Sequence, residues 1–89
     1  MYTPVYTKQF AKDLKRCQRR GKNLDKFKIL VRNLLDGEAL DSIHRDHRLI
    51  GNYASRRECH IESDWLLIYR VESEHIFFER TGTHSDLFK

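Results

Sequence analysis

The sequence has one proline and four glycines in 89 residues, too few for a linker-rich or disordered chain, so a compact fold with short connections is expected. It also lacks any apolar stretch near the roughly 18 residues that a membrane span requires. The opening residues, MYTPVYTKQF, hold no basic segment followed by an apolar run, so the product is expected to stay in the cytoplasm with no membrane association. Cysteine is scarce: Cys17 and Cys59 have no paired spacing, and in an unexported chain they are expected as free thiols. There is no glycine-rich phosphate loop, nucleophile elbow or CxxC pair. A chain of this length, 39% hydrophobic and 34% charged, is expected to form one domain over residues 1–89.

What is present is charge, unevenly placed. Residues 1–35 carry ten Lys or Arg against Asp13 and Asp25, whereas the remainder carries seven against eleven acidic residues, within a net charge of +4. A basic half of this density attracts polyanions and releases their counterions on contact, which points to nucleic acid. Taken alone, the same run also fits a solvated helix face or an acidic protein partner.

The periodicity places that charge on helices. Thr7 reads as an N-cap, Phe10, Ala11, Leu14 and Cys17 as one apolar side, and Gly21 as a stop; the opposite side is nearly all Lys and Arg. A second helix is predicted from near Asn23 to Leu35, with Leu24, Phe27, Leu30, Val31 and Leu34 at helical spacing, and the short link at Gly21 predicts an antiparallel pair. Residues Tyr2 to Tyr6 suit a short strand, at an edge because Pro4 lacks an amide hydrogen. Glu38 to Ser55 shows no sustained period and reads as a long loop, often a functional feature. Three strands follow, Arg56 to Glu62 with one buried face, Trp65 to Val71 buried on both faces, and His75 to Thr81, joined by turns at Ser63–Asp64 and Ser73–Glu74. The expected class is α+β: an N-terminal strand and a two-helix hairpin packed on an antiparallel sheet with a C-terminal three-strand meander.

Five histidines stand in this short chain, and His47, His60 and His84 fall in the loop and at strand ends, with Asp64 and Arg80 beside them. Each alone has a plain structural explanation. Jointly they match what metal-free RNA cleavage requires: a base for the 2′-hydroxyl proton, an acid for the leaving 5′-oxygen and a cation for the phosphorane.

The segments RDHRLIGNY, REC-HIESDWLLIYRV and FERTGTHSDLF, over roughly residues 6 to 88, resemble the YafQ-type messenger RNA interferases of the RelE/ParE toxin superfamily. The most specific parts are H-x-x-x-DWLLIY from His60 and ERTGTH ending at His84; relatives often have proline where this chain has Arg48 and Ser63. The resemblance implies a RelE-like fold and a site of His47, His60, Asp64, Trp65, Arg80, His84 and Phe88. It implies cleavage of messenger RNA in the ribosomal A site, with no cofactor and no metal, and an antitoxin that folds around the toxin; operator DNA would be met only through that antitoxin. On this basis His84 is expected as general acid, with Asp64, His60 or His47 as base. Arg80 would stabilise the phosphorane and Trp65 with Phe88 would stack on RNA. The basic helices, through Lys8, Lys12, Lys15, Arg16, Arg19 and Arg20, would dock on ribosomal RNA. Two other readings stand beside this one: a ParE-like binder of DNA gyrase on the same architecture, and a zinc site from His47, His60, His84 and Asp64, whose spacings include no tight ligand pair.

Overall fold

The computed structural model describes residues 1–51 and 54–88. Strand β1 (Thr3–Tyr6) leads into helix α1 (Lys8–Arg19) and helix α2 (Leu24–Leu35). A 3-10 turn (Ser42–His44) and strand β2 (His47–Arg48) precede the meander β3 (Arg57–Glu62), β4 (Trp65–Glu72) and β5 (His75–Gly82), and a four-residue helix α3 (His84–Leu87) ends the fold.

The helix boundaries follow from local chemistry. Thr7 Oγ1 accepts from Phe10 N–H at 3.0 Å, and Asn23 Oδ1 accepts from Asp25 N–H at 3.0 Å, so each helix begins on a side-chain cap. Gly21, at φ +84°, turns the chain after α1 in a conformation that other residues adopt at a cost. Helix α1 buries Phe10 and Cys17, but Ala11 is exposed, and the third buried residue on that side is Asp13.

The sheet runs β1-β5-β4-β3-β2. Strand β1 takes the edge, as Pro4 requires, and pairs parallel with β5, so the sheet is mixed rather than wholly antiparallel. A parallel partner contributed by the other end of the chain leaves no local trace in sequence. Strand β4 is central, and its alternation splits the core. Trp65, Leu67 and Tyr69 pack with Phe10, Cys17, Phe27, Leu30, Val31 and Leu34 of the helices, while Leu66 and Ile68 face away from the helices and meet Leu87 and Leu49. Burying a side chain such as Leu87 contributes about 2 kcal/mol, which matters for a helix too short to be stable alone.

The stretch from 38 to 55, expected as a structureless loop, holds the 3-10 turn and β2 and is tied down. Tyr69 Oη donates to Asp46 Oδ1 at 2.6 Å, and Arg57 Nε donates to the same atom at 3.2 Å. The expectation there that falls on Asn52 and Tyr53 lies outside the described residues. Among the described residues no helix is long and apolar enough to cross a membrane. Cys17 and Cys59 are free and buried, and burial raises both thiols above their ordinary pKa.

Candidate functional site

Register places Glu58, His60 and the backbone position of Arg80 on the sheet face turned away from α1 and α2. Glu58 pairs with Ile68, and Ile68 with Arg80; His47 pairs with Glu58, and His60 with Leu66. Directly opposed residues share a face, so His47, Glu58 and Arg80 form one row and His60 the adjacent one. Strand β3 was expected to bury one face only. It buries both: the second face also carries the cluster of Leu66, Ile68 and Leu87 with Leu49, and Glu58 and His60 on it are 6% and 7% exposed.

His84 opens α3 and is held by Asp64 from the β3–β4 turn. Asp64 Oδ1 accepts from the His84 backbone N–H at 2.9 Å and lies 2.7 Å from Nδ1 of its imidazole. A carboxylate only accepts, so Nδ1 carries the proton and Nε2 is left to act. The two bonds, the backbone one first, hold the Asp64 carboxyl below the usual carboxylate range. Across the site the rings of His60 and His84 stand 5.6 Å apart, centroid to centroid.

His60 lies between two acceptors, Nδ1 at 3.2 Å from the Ser63 carbonyl and Nε2 at 3.2 Å from Glu58 Oε1. A carbonyl only accepts, so Nδ1 carries a proton and Nε2 is the basic nitrogen of the ring; Glu58 Oε1 stands where it stabilises the imidazolium once Nε2 takes up a proton. The same Oε1 lies 3.8 Å from His47 Nε2, while His47 Nδ1 donates to the Arg45 carbonyl at 2.6 Å. Glu58 thus backs two imidazoles. Sequence reasoning missed it, because on an alternating strand it read as a solvent-facing residue.

A family model described as the bacterial toxin of type II toxin-antitoxin system, YafQ, matches residues 2–89. The chain belongs to the YafQ toxin family. The mRNA interferase toxin YafQ of Escherichia coli strain K12 is 40% identical over 84 residues, covering 93% of this chain and 91% of its own length. The fold superposes on YafQ in the crystal structure of the E. coli DinJ-YafQ toxin-antitoxin complex with a TM-score of 0.91, at 38% identity over 99% of this chain and 98% of that one. It superposes on a metal-bound toxin from Helicobacter pylori with a TM-score of 0.93, at 37% identity over 99% of this chain and 100% of that one.

Of the seven positions carried over from the YafQ resemblance, the fold gathers His60, His84 and Asp64, with His47 joined to them through Glu58. Arg80 reaches toward α1, donating from Nε to Asp13 Oδ2 at 2.7 Å and from Nη2 to Oδ1 at 3.4 Å. Asp13, 1% exposed, also accepts from the Thr81 backbone N–H at 3.2 Å and Gln9 Nε2 at 3.0 Å. Phe88 follows α3 and is 38% exposed.

Trp65 does not fit the stacking role. It is fully buried in the helix-side core, where Nε1 donates to Thr81 Oγ1 at 2.9 Å, so no ring face is available to a base. Lys8, Lys12, Lys15 and Arg19 lie exposed along α1, as the charge pattern led us to expect. Arg16 and Arg20 instead form ion pairs with Asp86.

The arrangement offers two kinds of chemistry. Two imidazoles of differing surroundings, one oriented by Asp64 and one backed by Glu58, can move protons on either side of a phosphodiester. Glu58, His60 and His84 also present ligand atoms within 4.8 Å of one another, a three-donor set different from the four residues weighed for zinc in the sequence.

Proposed function

We propose that this chain is an endoribonuclease toxin that cleaves messenger RNA on the ribosome by metal-independent acid–base catalysis. The observation that carries this reading is the facing pair His60 and His84, 5.6 Å between ring centroids, each with its own carboxylate. The 2′-oxygen attacks phosphorus as its proton passes to His60, with Glu58 stabilising the imidazolium. The phosphorus–5′-oxygen bond breaks as His84 Nε2 delivers a proton to the leaving oxygen, giving a 2′,3′-cyclic phosphate and a 5′-hydroxyl. Asp64, its basicity reduced by its bonds to His84, orients the acid rather than accepting the 2′-hydroxyl proton. His47 positions the phosphate, Arg80 stabilises the phosphorane, and Phe88 stacks on RNA.

The name of the E. coli relative, an mRNA interferase toxin, supports RNA cleavage over the gyrase-binding alternative. The DinJ-YafQ toxin-antitoxin complex supports an antitoxin partner for this chain, through which alone it would meet operator DNA. Cytoplasmic action follows from a ribosomal substrate. Translating ribosomes incubated with the protein, with RNA ends mapped, test the reading: cuts carrying 5′-hydroxyl ends within messenger RNA are expected, and intact message with inhibited gyrase would overturn it.

The three-donor set and the metal-bound H. pylori relative favour a second, compatible reading, in which a divalent ion suited to imidazole and carboxylate ligands, such as zinc or copper, is bound by Glu58, His60 and His84. Those residues are the proposed acid–base pair and its support, so a bound ion would block cleavage. Activity is expected to survive a strong chelator and to fall on adding zinc; loss of activity on chelation would make the metal a cofactor instead.

A further inference from the structure

Arg16 and Arg20, part of the basic run assigned to RNA docking, point back into the protein. Arg20 donates from Nη1 to Asp86 Oδ2 at 2.7 Å and from Nη2 to Oδ1 at 3.3 Å, a fork on a carboxylate. Arg16 Nη2 lies 3.6 Å from Asp86 Oδ2 and 3.4 Å from Asp13 Oδ1, so it bridges the anion on α3 and the anion that holds Arg80. A Cβ on Gly82 would lie 2.8 Å from Asp86 Oδ2 and 3.2 Å from Arg16 Nη2, so this close approach of the two charges depends on glycine at the end of β5.

Asp86 is also the anchor of the turn that carries His84. Thr83 Oγ1 accepts from Asp86 N–H at 3.1 Å and Asp86 Oδ2 accepts from Thr83 N–H at 2.9 Å, a reciprocal cap around the first residues of α3. This cap, the Asp64 bond to the His84 N–H and the burial of Leu87 tie the four-residue helix to the sheet and its turns, and none of them ties it to α1. The α1 arginines supply that link. An ion pair with a half-exposed partner such as Arg20 stabilises a fold little, so the consequence of this contact is where it places α3.

We propose that Asp86, clamped by Arg20 and Arg16, is a positioning residue for His84: it fixes α3 against α1, so that the imidazole oriented by Asp64 stays opposite His60. This rests on the reading of His84 as the acid. Arg16 and Arg20 thereby leave the RNA-docking surface, which falls to Lys8, Lys12, Lys15 and Arg19.

The test compares Arg20→Gln, Asp86→Asn and their double variant by kcat and KM on ribosome-bound messenger RNA, and by NMR of the His84 ring in the free protein. Each single change is expected to lower kcat on the order of tenfold to a hundredfold with KM unchanged. The double variant should be no slower than the slower single one, and Arg20→Lys should recover part of the loss. The His84 ring resonances should shift and broaden while those of His75, at the far end of β5, stay in place. Unchanged kcat and unchanged His84 resonances in either single variant would overturn the proposal, as would a rise in KM with a flatter salt dependence from Arg20→Gln alone. Arg20 is exposed enough that its replacement leaves a folded protein even if Asp86→Asn does not. If the wild type cleaves no RNA, the catalytic reading falls, and the NMR comparison still decides whether the clamp fixes His84.

Discussion

One oxygen of Asp64 accepts both the backbone N–H and the imidazole N–H of His84, at 2.9 and 2.7 Å. Two bonds from a single residue fix the helix start and the ring rotation together. Replacing Asp64 with Asn keeps the size but presents an amide that can donate, which favours the wrong tautomer of His84. Cleavage is expected to fall by about 10² to 10⁴ in single-turnover rate. A rate equal to the wild type would remove Asp64 from the site.

Trp65 separates a core role from a catalytic one. Trp65→Phe keeps a large buried ring but leaves Thr81 Oγ1 without its Nε1–H donor, which is expected to cost about 1–3 kcal/mol in chemical denaturation. The folded variant should cleave at the wild-type rate. A loss of cleavage with unchanged stability would return Trp65 to the RNA-contacting set.

The helices, the edge strand and the central strand were legible because their signals are local: Thr7 and Asn23 as caps, Gly21 as a stop, Pro4 as an edge marker, and an apolar run from Trp65. The missing pieces depend on distant partners. The two-residue strand β2 and the four-residue α3 are too short to show a period, and β1 finds its parallel partner across most of the chain. Charge was the least legible. Asp13, Glu58 and Asp86 look like ordinary surface acids in sequence, and only the fold shows that they hold Arg80, His60 and the α3 turn.

Asp86 contributes to the acid side of the stability profile. Arg20 first, with the Thr83 cap and Arg16, holds its carboxyl well below the usual carboxylate range. A group whose folded pKa is depressed stabilises the fold above its unfolded value, about 3.9, and loses that contribution as pH falls through the folded value. Stability is therefore expected to decline below about pH 4, and less steeply in Asp86→Asn. Identical slopes in an acid titration of the two proteins would contradict the pairing.

The α1 surface makes a separate prediction about salt. Changing Lys8, Lys12, Lys15 and Arg19 to Gln is expected to weaken ribosome binding and to reduce the slope of log affinity against log salt by about three. Single-turnover cleavage of prebound message should be unaffected. An unchanged slope would leave these four residues as solvated surface.

The most direct test of acid catalysis by His84 uses a substrate whose scissile 5′-oxygen is replaced by sulfur, a leaving group that departs without protonation. His84→Ala is expected to be slower than wild type by about 10² to 10⁴ on the oxygen substrate and close to wild type on the sulfur one. Equal losses on both substrates would contradict the account.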